Sequence, residues 1–319
     1  MRTTRPAGML YIIMRKFIDI TNNFAELDTW QAGCWVDVVS PDRSDFEFLT
    51  KTLNVPEDIL TYASDKDERP RIELDDDWVM TILRIPTDSC SEEMDYHTVP
   101  IAIICNPTVT VTICFFQNHM IDDFIDHSHT RCLCVESRSS FILHIIYSAA
   151  FWFLEYLKKI SARVNESTRQ LENSVRNSDL MTLMRLQNTL VYFNTSLTGD
   201  ESLINRLRQV FTDDFDLDFL EDVEIELKQA LNTVEVYSQI LSGTLDTYAS
   251  VISNNLNMVM KRMTSVTIVL MIPTLIASFY GMNVPITFPV GDAGFWIIMA
   301  IAGVLTVIVF LWLKRIRWF

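Results

Sequence analysis

The stretch MTSVTIVLMIPTLIASFY, Met263 to Tyr280, runs 18 residues without a charged side chain. At 1.5 Å per residue, a helix of that length covers roughly 27 Å, close to the ~30 Å hydrocarbon core of a bilayer. A second run, FWIIMAIAGVLTVIVFLWL (Phe295 to Leu313), carries no charge over 19 residues. A helix buried in a soluble core seldom goes so far without a charge, so both runs are expected to be transmembrane helices.

Lys261 and Arg262 precede the first run, and Lys314, Arg315 and Arg317 follow the second, whereas residues 281–294 between them carry no Lys or Arg. The positive-inside rule puts both outer flanks in the cytoplasm and the loop outside. The expected location is a multi-pass protein of the cell (inner or plasma) membrane with both termini cytoplasmic. The early apolar run MLYIIM, Met9 to Met14, is too short for the h-region of a signal peptide.

Charge is distributed unevenly. Residues 1–260 hold 40 acidic and 21 basic side chains, a net of −19, and Asp292 is the only acid beyond residue 262. Such a body repels nucleic acid and anionic lipid and attracts cations, although solubility alone also accounts for it. The six cysteines, Cys34, Cys90, Cys105, Cys114, Cys132 and Cys134, fall in the part assigned to a reducing compartment and are expected as free thiols. His127, His129, Cys132 and Cys134 in HSHTRCLC are competent zinc ligands. Their spacing fits none of the usual structural zinc sites, and an ordinary surface or core role is the competing reading.

Upstream, residues 30–115 alternate β-rich and helical patterns. CWVDVVS reads as a strand and Ser44 to Val55 as a helix capped by its Ser. RIEL pairs with WVMTILRI around Asp75 to Asp77, and TVPIAIIC with TVTVTICFF around Asn106 and Pro107, as two hairpins. An α/β domain follows from this alternation. From about Ser139 the pattern turns helical, with a second helix over Asp179 to about Val210. From Leu217 no Pro occurs before Pro273 and the only Gly is Gly243, so one helix is expected to run from Leu217 to Tyr280. Apolar residues recur along it at Leu220, Val223, Leu227, Ala230, Val234, Tyr237, Leu241, Leu245, Tyr248, Ile252, Leu256 and Val259. Their mean spacing of about 3.5 residues is that of a packed helical seam.

A second stripe comprises Asp246, Ser250, Ser253, Asn257, Met260, Thr264, Thr267, Met271, Thr274 and Ser278, in alternating steps of 4 and 3. Hydroxyls on one continuous face inside a bilayer prefer other helices or water to lipid. The stripe therefore reads either as helix–helix glue or as the wall of a water-lined pore built from several copies. Pro273 frees a backbone carbonyl within this helix. No G-x-S-x-G elbow, Walker A loop or G-x-G-x-x-G occurs, and eight glycines leave little for a phosphate cradle. No enzyme constellation and no organic cofactor are expected. Transport down a gradient needs neither, since the membrane potential supplies about 2.3 kcal/mol per charge per 100 mV.

Tyr280-Gly281-Met282-Asn283 ends the first of two C-terminal transmembrane helices, behind a long acidic helical region and ahead of a basic tail. In this the chain resembles the CorA family of magnesium and cobalt transporters, and ERPRIE (Glu68 to Glu73) also resembles that family's cytoplasmic domain. The resemblance implies an α/β cytoplasmic N-terminal domain, long stalk helices and two transmembrane α-helices, assembled as a homopentameric funnel. The corresponding segments are 1–138 (α/β domain), 139–262 (helical stalk), 263–280 (pore-lining helix), 281–294 (outer loop), 295–313 (second helix) and 314–319 (basic tail).

It further implies that Gly281, Met282 and Asn283 form the outer mouth, with Gly281 allowing the turn. A ring of Asn283 amides can hydrogen-bond the water shell of Mg²⁺, which dehydrates reluctantly. Thr274, Met271 and Thr267 would face the ion path, Met260 with Met263 or Thr264 would make a narrow gate, and Asn257 and Asp246 would line a vestibule. Cytoplasmic Mg²⁺ would bind Asp222 and Asp88 at subunit interfaces and hold the pentamer closed. Magnesium transporters of the family commonly carry a glutamate soon after the motif. Here VPITFPVGDAG has none, only Asp292. The expected cargo is Mg²⁺, with Co²⁺ or Ni²⁺ as surrogates. Zn²⁺ transport, with or without proton coupling, is the alternative, and a non-conducting membrane-anchored metal sensor is the alternative of another class. Divalent cations, the bilayer and further copies of the chain are the expected partners, and nucleic acid is not.

Overall fold

The computed structural model describes residues 14–88, 94–131, 133, 135, 137–173, 177–211, 216–282, 292–316 and 318. The chain divides into two compact units, Met1–Gly243 and Thr244–Phe319.

In the first unit, β1 (Met14–Asp19), β2 (Ala25–Leu27) and β3 (Trp35–Val39) are followed by α1 (Arg43–Lys51) and α2 (Glu57–Ala63). Then come β4 (Arg71–Asp75), β5 (Trp78–Asp88), β6 (Tyr96–Cys105) and β7 (Thr110–Cys114). The helices α3 (Met120–Arg131), α4 (Arg138–Asn173) and α5 (Asn177–Val210) follow. The strands form one seven-stranded sheet in the order β2-β1-β3-β7-β6-β5-β4. Both expected hairpins are present, β4–β5 and β6–β7. The parallel pairing of β3 with β7 closes the sheet over a separation that no local pattern announces.

Alternation along the strands divides the core between the two sheet faces. Val36, Val38, Met80, Ile82, Ile104 and Val111 pack on one face with Leu49 of α1 and Ile59 and Leu60 of α2. On the other, Trp35 meets Phe141 of α4 edge-on at 5.1 Å and Phe124 of α3 at 6.0 Å. A strand covered on both faces has little need of polar alternation. That is why β5 keeps Met80, Ile82, Leu83 and Ile85 fully buried in one nearly continuous apolar run.

Helix α1 differs from its expected bounds and cap. Its cap is Asp42, whose carboxylate accepts from the Asp45 amide while the Asp45 side chain accepts from the Asp42 amide. Ser44, expected to cap, instead donates its hydroxyl to Asp42 at 2.7 Å. A carboxylate placed to take the free N–H groups outcompetes a hydroxyl one turn position later. The helix stops at Lys51 rather than Val55, because Asn54 turns into the left-handed region (φ 57°) and sends Leu53 and Val55 into the core.

Helix α6 (Leu217–Tyr280) is continuous over 64 residues, as its sequence predicts, and contains Pro273. Within the first unit its seam is shielded: Leu220, Val223, Leu227, Ala230, Val234 and Leu241 are fully buried. Farther along, Leu256 and Val259 are 60% and 52% exposed, so the seam as packed ends well before the apolar run begins.

The second unit holds the rest of α6 and α7 (Asp292–Arg315). These are the two helices described there, and both are long and apolar enough to cross a membrane. Along the apolar run of α6, Met263 to Tyr280, the positions that lose exposure are Ser265, Val269, Ile272 and Ile276. On α7 they are Gly294, Ile298, Ala302, Thr306, Val309 and Leu313. Both sets repeat every three or four residues and are the faces along which the pair packs.

Candidate functional site

The site is built on the part of α6 beyond Gly243. Its expected pore stripe is exposed among the described residues. Asp246, Ser250, Ser253, Asn257, Met260, Thr264, Thr267, Met271, Thr274 and Ser278 are all exposed, as is Met263 beside them. Ser265, one residue from Thr264, is by contrast fully buried. Glue within the hairpin is therefore the work of the face running from Ser265 to Ile276, and the hydroxyl stripe lies beside it.

Three hydroxyls on that stripe are oriented. Thr267 donates to the Met263 carbonyl at 2.9 Å, Thr274 to the Leu270 carbonyl at 3.0 Å and Ser250 to the Asp246 carbonyl at 3.0 Å. With its hydrogen spent on the helix's own backbone, each hydroxyl presents its remaining lone-pair capacity outward. A face of acceptors suits the hydrogens of a cation's water shell.

At the far end, α6 closes with the Gly281 amide donating to the Ala277 carbonyl at 2.9 Å and the Met282 amide to the Phe279 carbonyl at 3.5 Å. A Cβ on Gly281 would stand 3.3 Å from the Ala277 carbonyl oxygen, so glycine here provides room beside the backbone. Gly33 is the glycine with a left-handed φ among the described residues, so the expected turn at Gly281 does not rest on that conformation. Met282 is 52% exposed. Asn283 lies outside the described residues, together with the loop as far as Gly291.

The two expected regulatory acids are both exposed, Asp88 at the end of β5 and Asp222 in the second turn of α6. Asp88 faces aromatic partners: it raises the pKa of Tyr156, whose main perturbation is burial. Among the described residues no three His, Cys, Asp or Glu side chains come together as a metal site. In HSHTRCLC, His127 donates its Nδ1–H to the Asp123 carbonyl (3.0 Å) and His129 pairs with Asn23 (3.1 Å). Cys132 and Cys134 lie outside the described residues.

Two buried carboxylates carry perturbed chemistry that the sequence reading passes over. Asp200 of α5 accepts from the Arg84 amide at 3.0 Å. Arg84 stands opposite Pro100 and beyond the pairing with β4, so this carboxylate takes the place of a missing strand neighbour. Its other oxygen has no hydrogen-bond partner among the described residues, and burial raises its pKa well above the ordinary range. Asp37 of β3 accepts from the Thr112 hydroxyl at 2.6 Å, and burial raises its pKa to about 6. An acid inside the apolar strand CWVDVVS is the one signal that could have flagged it.

Comparison with known proteins places this architecture. The family described as CorA-like Mg²⁺ transporter protein matches residues 30–315. The cobalt/magnesium transport protein CorA of Methanocaldococcus jannaschii is 23% identical over 291 residues, covering 89% of this chain and 90% of that protein. The protein of the same name from Thermotoga maritima is 24% identical over 299 residues, covering 89% and 83%. The complete structure of the M. jannaschii CorA magnesium transporter superposes with a TM-score of 0.81 at 22% identity, covering 97% of this chain and 98% of that one.

Proposed function

This chain belongs to the CorA-like Mg²⁺ transporter family, and from that premise we propose that it is a gradient-driven channel for hydrated divalent cations, Mg²⁺ first. The observation that carries the proposal is the exposed face of acceptor hydroxyls on α6, aligned along the helix beneath Gly281 and left open by the packing of α7. One helical pair cannot enclose a path, so the reading requires several copies, arranged as a pentamer with α6 innermost. Thr274, Met271 and Thr267 then line the path, Met260 with Met263 or Thr264 narrows it, and Asn257 and Asp246 widen it on the cytoplasmic side. Gly281, Met282 and Asn283 make the outer mouth, where amide oxygens hold the water shell without stripping it. The driving force is electrical, about 4.6 kcal/mol per divalent ion per 100 mV. Both termini are cytoplasmic in this arrangement.

Inhibition by cytoplasmic Mg²⁺ is part of the proposal. Asp222 and Asp88, both exposed, become a shared site when a neighbouring copy brings its own acid alongside. Asp222→Ala is expected to leave conduction less inhibited by internal Mg²⁺; an unchanged inhibition curve removes Asp222 from that role.

The loop's lack of a glutamate after the motif favours a second reading, Zn²⁺ as cargo. Uptake into liposomes holding the purified protein, comparing Mg²⁺ with Zn²⁺ with and without a pH gradient, separates the two. Mg²⁺ influx independent of the pH gradient supports the first reading, and Zn²⁺ influx that follows the proton gradient supports the second. Flux of neither ion leaves the anchored sensor.

A further inference from the structure

We propose that the basic end of the α6–α7 hairpin is a binding surface for anionic phospholipid headgroups, an inference that rests on the membrane-spanning reading of these helices. Lys261 and Arg262 stand just before the apolar run of α6, and Lys314 and Arg315 just after that of α7. All four are exposed, and none forms an ion pair among the described residues. In a chain of net charge −15, with a single acid beyond residue 262, that is a pronounced local excess of uncompensated cations.

Their placement around each helix points to lipid rather than to the ion path. Arg262 follows Met260 of the hydroxyl stripe by two residues, about 200° around the helix, and so projects from the opposite face. Lys261 lies one turn before the buried Ser265, whose hydroxyl donates to the Lys261 carbonyl at 2.8 Å, and so continues the α6 packing face. It therefore sits at the mouth of the groove between the helices. On α7, Leu305, Ile308, Trp312 and Arg315 are all exposed and step 3, 4, 3 along one outward stripe, with Trp312 62% exposed. An outward Trp one turn before an Arg is the arrangement that settles at the headgroup level of a bilayer.

Helix-dipole compensation explains part of this, since Lys314 and Arg315 occupy the last turn of α7. It does not explain Lys261 and Arg262, which are in the interior of α6, more than a dozen residues from either end. Setting the membrane orientation needs positive charge on one side, but not an aromatic anchor beside it nor a cation at the helix–helix groove. A basic groove between membrane helices on the cytoplasmic side is the general chemistry of anionic headgroup capture.

The test is electron spin resonance of the full-length protein reconstituted in phosphatidylcholine, with trace spin-labelled phosphatidylglycerol or phosphatidylcholine as probe. The expected result is a motionally restricted lipid fraction in which phosphatidylglycerol is favoured severalfold, with the preference reduced by ~1 M salt. Lys261→Gln with Arg262→Gln, and separately Lys314→Gln with Arg315→Gln, should each lower that preference towards unity while leaving the restricted fraction present. A restricted fraction with no preference for phosphatidylglycerol, or a preference untouched in both double variants, overturns the inference. Absence of any restricted fraction overturns instead the membrane-spanning reading on which it rests.

Discussion

Helices α4 and α7 are both apolar enough over 18 residues to cross a membrane, and they satisfy that apolarity in opposite ways. In α4, 56% of the most apolar window is buried inside the protein; in α7 the share is 11%, and in the corresponding window of α6 it is 6%. The first helix finds its apolar partners in the sheet and in α5, through Phe141, Ile145, Phe153 and Leu157, all at 1% exposure or less. Among the described residues the others find little of the kind, and most of their apolar surface awaits another solvent or other copies. Length and hydropathy identify a helix that must be covered. Only its surroundings say by what.

That contrast can be broken most forcefully at Phe153, whose ring meets Phe193 of α5 edge-on at 5.1 Å. Phe153→Ala is expected to cost about 3–5 kcal/mol, read as a large drop in thermal unfolding temperature of the detergent-solubilised protein. Val307→Ala on the 56% exposed flank of α7 should fall within about 0.5 kcal/mol of the parent. Equal losses at the two positions would mean that α7 has a protein partner of its own.

A second, smaller effect is confined to the sheet. The carboxyl of Asp37, ordinarily near 3.8, is raised to about 6 by burial, against the opposing Thr112 hydrogen bond and the Lys16 ammonium. Between about pH 4 and 6 the folded chain keeps a proton that the unfolded chain has released, so stability falls as pH rises through that window. The full change is about 3 kcal/mol. Asp37→Asn retains an acceptor for Thr112 and should flatten this slope in melts recorded from about pH 4 to 7. The charged groups facing it, Lys16 of β1 and Asp122 of α3, are joined to each other at 2.7 Å. A slope unchanged in the variant would place the titration elsewhere.

The smallest effect sharpens the comparison within α6 itself. Thr274→Val keeps the side-chain shape and removes one acceptor from the exposed stripe. At about 1 kcal/mol per hydrogen bond, cation flux should fall roughly fivefold. Ile272→Val on the face packed against α7 should leave flux near that of the parent. Equal flux in both variants would detach the stripe from conduction.

How much of this was legible beforehand depended on how local the cause was. The 64 residues of α6 could be read because a helix is broken chiefly by Pro and Gly, and the chain withholds both over most of that span. The β4–β5 and β6–β7 hairpins announced themselves through turn residues: Asp76 in the left-handed region, and Asn106 accepting from the Thr108 and Val109 amides. The cap of α1 lies two residues before its expected place, since Asp and Ser both favour the cap position and only the backbone path decides which of Asp42 and Ser44 reaches the free amides. Strands β1 and β2 at one end of the sheet, the parallel β3–β7 pairing and the Asp200–Arg84 contact depend on residues far apart in sequence, which no window along the chain captures. For the candidate site, the stripe was legible by period. That a different face of α6 packs against α7 was not, because Thr264 and Ser265 are chemically alike and only one of them is buried.

The central claim is that divalent cations pass along this stripe through a mouth formed by Asn283. It is tested most directly by Mg²⁺ influx into proteoliposomes under an imposed inside-negative potential, comparing the parent with Asn283→Ala at equal oligomer content. The account predicts influx that rises with the potential in the parent and is strongly reduced in the variant, with the assembly intact. Equal influx in the two would remove Asn283 from the mouth, and no potential-driven influx in the parent would contradict conduction itself.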